Sequence, residues 1–86
     1  MAKYTFQTSC AKDVYTSIAS GVSEISARLP VNGRLIVQDS GDADPAANAS
    51  GSIYVKSDQQ IDLAVTGLKV FYMPSGADTI VEGIKK

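Results

Sequence analysis

Asp39, Asp42 and Asp44 crowd one short stretch of the chain. Clustered carboxylate oxygens suit a hard cation such as calcium, and a carboxylate pair can serve as acid and base. The spacing D-x-x-D-x-D departs from the twelve-residue calcium loop, which needs D-x-[DN]-x-[DN]-G and a distal Glu. The plainer reading is a solvated acidic loop, because Asp favours turns. Cys10 is the only cysteine, with Lys12 two residues on. A nucleophilic thiol needs a base, a cation or a helix end to lower its pKa. The sequence contains no His, so the commonest base and metal ligand are missing. Cys10 therefore reads as a small apolar side chain. Ser20-Gly21 and Ser50-Gly51 lie outside any G-x-S-x-G, and the glycines form neither G-x-G-x-x-G nor a P-loop. From these residues we expect no enzyme, and we assign no catalytic, cofactor-binding or metal-binding residue.

The elements that carry these residues follow a period of two. Tyr4 and Phe6 alternate with Lys3, Thr5 and Gln7, which reads as a strand over residues 3–9. Residues 14–20 put Val14, Thr16, Ile18 and Ser20 on one face, and Gly21 breaks the run. Residues 22–29 fit a helical stripe (Val22, Ile25, Leu29) or a strand face (Ser23, Ile25, Ala27, Leu29), and β-branched company favours the strand. Asn32-Gly33 reads as a type I′ hairpin turn, with positive φ at both positions. Residues 34–38 are nearly continuous in apolar side chains, so that strand is expected to be central, with Val37 in the core. Residues 39–51, DSGDADPAANASG, form the longest structureless stretch and read as a mobile acidic, small-residue loop. Strands follow at 52–57, 61–65 and 68–73, and residues 79–86 close the chain. Phe71 and Tyr72 are adjacent in a strand, so they face opposite sides, one toward the core and one toward solvent or a neighbour.

Seven or eight short strands spaced by about 8 to 12 residues indicate an all-β fold, a small antiparallel β-sandwich or barrel. The expected organisation is one domain over residues 1–86. A chain of 9.0 kDa exposes roughly 4,900 Å² when folded and buries about 63% of its extended surface. So small a core, with a single cysteine and no internal disulfide, gains from self-association or a partner. Eight basic and nine acidic residues give net charge −1, no electrostatic basis for nucleic-acid binding. No apolar run approaches a membrane span, and no apolar stretch with a cleavage site follows Lys3, so we expect no membrane partner and no secretory signal. Open strand edges must be paired, covered or charged, and Lys3, Glu82, Lys85 and Lys86 are candidate guards.

From Tyr15 to Glu82 the layout resembles short virion proteins of tailed bacteriophages. The resemblance is carried by VYTSIASGVSEISARL, GRLIVQDSG with its small-residue loop, GSIYVKSDQQIDLAVTGLKVFYMPSG and the short β end DTIVEG. It implies a β-sandwich bound to the major capsid protein at the capsid surface, as a decoration or cement subunit or the base of a head fibre. It also implies a homo-oligomer, often a homotrimer, located in the virion, and no catalytic set to carry over. Two other functions are open at this point. One is a carbohydrate- or ligand-binding module of a phage fibre, with Tyr54 or Tyr72 stacking on a sugar and the Asp loop holding calcium. The other is a tail or head–tail connector component.

Overall fold

The computed structural model describes residues 3–86. Among them are eight strands and no helix: β1 (Thr5–Cys10), β2 (Thr16–Ser20), β3 (Glu24–Leu29), β4 (Gly33–Asp39), β5 (Ile53–Val55), β6 (Gln59–Ala64), β7 (Leu68–Pro74) and β8 (Thr79–Lys85). They form two antiparallel sheets of four, in the orders β1-β8-β3-β6 and β2-β7-β4-β5. The molecule is a small β-sandwich.

The pairing has a simple origin. β1 pairs with β8, β2 with β7, β3 with β6 and β4 with β5. The chain is one long antiparallel hairpin with its tip at residues 40–52, wound on itself so that β3 meets β8 and β4 meets β7. Every connection but the tip crosses from one sheet to the other. This strand order is the double Greek key, or jelly roll.

The core lies between the sheets. Ile25, Ala27 and Leu29 of β3, Ile61 of β6 and Val81 of β8 face Leu35 of β4 and Val70 and Tyr72 of β7. Alternation along β3 and β6 makes this face by period two alone. In β2 the alternation fails. A bulge between Ser17 and Ala19 shifts the register, so Ile18 and Ala19 are both buried while Ser20 is exposed. The single face drawn through Val14, Thr16, Ile18 and Ser20 is therefore corrected: an extra bulge residue re-aims every side chain after it.

Asn32-Gly33 is a second correction. It makes no hairpin, because β3 and β4 belong to different sheets. Gly33 does not have positive φ; it opens β4 opposite Pro74. A Cβ there would lie 2.1 Å from the Met73 carbonyl oxygen, so glycine serves close backbone approach. Left-handed backbone occurs instead at Asp13 (φ 60°) and Asp58 (φ 59°), in the sheet-crossing turns after β1 and β5. Each backbone N–H is satisfied across the corner, Asp13 donating to the Pro74 carbonyl (2.8 Å) and Asp58 to that of Pro30 (3.4 Å). Aspartate tolerates this conformation better than most residues.

Candidate functional site

β4 lies between β7 and β5, as its apolar run implies. Its inner face carries Leu35 and Val37; its outer face carries Arg34, Ile36 and Gln38. Register sets Ile36 opposite Phe71 and Gln38 opposite Lys69 on that outer face. Ile36 and Phe71 nevertheless expose only 6% and 3% of their surface. The tip of the hairpin is tied down beside them. Gln38 Nε2 donates to the Ala43 carbonyl (2.8 Å), Lys69 Nζ lies 3.7 Å from Asp44 Oδ1, and the Ser40 N–H donates to the Gly67 carbonyl (3.0 Å). Pro45 and Ala49 are half-buried. This sheet thus has a second apolar layer on its outside, which explains why LIV in β4 and VFYM in β7 are unbroken apolar runs.

The three loop carboxylates part company. Asp44 turns to Lys69, and the Asp39 carbonyl accepts the Asp42 N–H (3.0 Å) in a turn. Among the described residues no three His, Cys, Asp or Glu side chains converge as a metal cage would require. Cys10 is 1% exposed within the core, and burial pushes its thiol pKa up, away from nucleophilic use. Lys12 does not assist it, being exposed in the following turn, where its N–H donates to Asp78 Oδ1 (2.9 Å). Ser20 and Ser50 are exposed.

The aromatic pair in β7 is resolved in favour of burial for both rings. Tyr72 is fully enclosed, and its hydroxyl donates to the Val31 carbonyl. Desolvation raises its pKa against that hydrogen bond. A sugar therefore cannot stack on Tyr72. Tyr54 is 58% exposed and sits across from Arg34 on the outer face. Val37, expected in the core, is 43% exposed, and Ile53, diagonal to it on β5, is 61% exposed. Both lie on the inner face, Ile53 at the end of the β4–β5 pairing and Val37 beyond it. Val37 and Ile53 leave apolar surface exposed on the inner side of this end of the β4–β5 ribbon, and Tyr54 does so on its outer side.

The opposite sheet carries a polar network absent from the sequence reading. On the outer face Ser26 Oγ donates to Asp62 and accepts from Gln60 Nε2 (3.1 Å). Ser26 and Asp62, with Glu24, line a shallow depression of about 250 Å³ beside Ile84. Its three polar residues come from β3 and β6, and the only sequence signal was that each is the outward member of an alternating strand. The arrangement offers hydrogen bonding and apolar contact. Comparison with known proteins returned no matching family model, curated protein or solved structure.

Proposed function

We propose that this chain is a structural virion protein that binds the capsid surface as a decoration or cement subunit and stabilises the shell through protein–protein contacts. The observation that carries this reading is the strand order, the double Greek key of two four-stranded sheets. Jelly rolls recur in viral shells and in lectins. The step from fold to function is one of analogy, supported by the sequence resemblance and by the exposed Val37, Ile53 and Tyr54. Many copies on a repeating lattice turn weak contacts of this size into firm attachment.

The test uses capsids assembled without this chain. Added protein should cosediment with them to saturation, at a fixed ratio to the major capsid protein, and raise the temperature at which the shell disrupts. Failure to cosediment at any concentration reached sinks the proposal. The lectin side of the same fold favours one second reading, a carbohydrate-binding fibre module using Tyr54 beside Arg34. Under that reading Tyr54→Ala abolishes glycan binding, and capsids do not retain the chain.

A further inference from the structure

The four sheet edges are not equally protected. β5 is three residues long, and β2 is bulged; both devices discourage edge-to-edge pairing. β8 is not an edge, so Glu82, Lys85 and Lys86 guard nothing of that kind. Lys85 points inward, its ammonium 4.5 Å from the Phe6 ring centroid and 3.3 Å from the Ile18 carbonyl oxygen. β1 and β6 remain, six residues each.

Hydrogen-bond phase shows which backbone groups these edges offer. The Lys85 N–H donates to the Tyr4 carbonyl (2.9 Å). Register then makes Phe6/Gly83, Thr8/Val81 and Cys10/Thr79 the bonded pairs. The N–H and C=O groups of Thr5, Gln7 and Ser9 point the other way, to the open edge. On β6 the Val65 N–H donates to the Ser23 carbonyl (2.8 Å), so by the same alternation Gln60, Asp62 and Ala64 offer theirs.

Each set is symmetric about its middle residue. An antiparallel pair of β6 strands using all three positions would set Asp62 against Asp62 of the second copy, two carboxylates face to face. The same pairing of β1 sets Gln7 against Gln7 and Thr5 against Ser9, neutral side chains that hydrogen-bond one another. Phe6 then falls opposite Thr8, and Tyr4, 52% exposed, opposite Cys10. Strand β1 contains no charged residue, no proline and no bulge.

We infer that a second copy of this chain pairs with the first through β1, antiparallel about a two-fold axis at Gln7, joining two four-stranded sheets into one of eight. The inference does not depend on the capsid reading. A two-fold contact closes after two copies.

Sedimentation equilibrium tests it, with twice 9.0 kDa expected. Thr5→Lys with Ser9→Lys brings the lysines of one copy against those of the other, and Thr5→Glu with Ser9→Glu does the same with carboxylates. These positions face Ile84 and Ile80 within the sheet, with Glu82 diagonal to both, so in the monomer the lysine pair meets an opposite charge and the glutamate pair a like one. Each variant alone should dimerise about tenfold or more weakly, and an equimolar mixture should recover a mixed dimer. Gln7→Pro deletes an N–H that β8 does not use and should leave a folded monomer. A monomeric parent, a trimer of the kind the resemblance implies, or a dimer indifferent to these charges overturns the inference.

Discussion

Gly83 of β8 lies opposite Ala27 of β3 with no room for a methyl group between the strands. A Cβ at position 83 would sit 2.8 Å from the Ala27 Cβ and 2.3 Å from the Ser26 carbonyl oxygen. Both obstacles belong to a central strand, so neither can swing aside. Gly83→Ala should lower stability by about 1–3 kcal/mol through overpacking, seen as a lower urea midpoint with an unchanged slope. Gly33→Ala should do the same against the Met73 carbonyl. Gly41→Ala, with open space around it, is the control and should leave the midpoint unmoved.

Phe71 and Val37 exchange the roles that strand pattern alone assigns them. Phe71→Ala removes a covered ring from the outer layer and should cost about 3–5 kcal/mol. Val37→Asp places its carboxylate at a residue already 43% exposed, so the cost should stay near the roughly 1 kcal/mol span of strand preference. Thermal or urea unfolding of the two variants decides it; a Val37→Asp chain that cannot fold would show that the inner face is closed at that end.

Removal of residues 42–49 shortens the tip at little entropic gain or loss. It also deletes the Ala43 and Asp44 anchors and bares Ile36 and Phe71. The surface ion pair contributes little; uncovering two large apolar side chains contributes most, about 1.5–3 kcal/mol each when fully exposed. The expected product is a folded sandwich of reduced stability that binds a hydrophobic dye. Unchanged stability and no dye binding would show that something other than the tip covers Phe71.

The alkaline limb of the stability curve should report Cys10 and Tyr72. Burial raises the folded-state pKa of both, so the unfolded chain loses its protons first. Their contribution is complete below pH 9, the ordinary thiol value. It falls as pH rises above that and is lost once the folded-state values are passed. Urea midpoints should be level from neutral pH to about 8.5 and decline above 9. Cys10→Ala should remove the first part of the decline. A midpoint that rises with pH in that window contradicts the burial of both groups.

Period-two alternation, with the near-continuous apolar residues at 34–38, indicated seven or eight strands and set Ile25, Ala27 and Leu29 on one strand face, because a strand's side-chain direction is set by its own backbone. The unpromising chemistry of Cys10 and of the two Ser-Gly pairs was equally local. Sheet order was not, since only β4 and β5 pair with a neighbour in sequence while β1 meets β8 across the whole chain. The meaning of Gly33 depended on Met73, the burial of Phe71 on what covers the outer face of its sheet, and the Ser26–Asp62 contact on a register between distant strands. Tertiary winding alone decided which backbone groups of β1 face open water. Hydrogen-bond phase passes from strand to strand, and no single strand carries it.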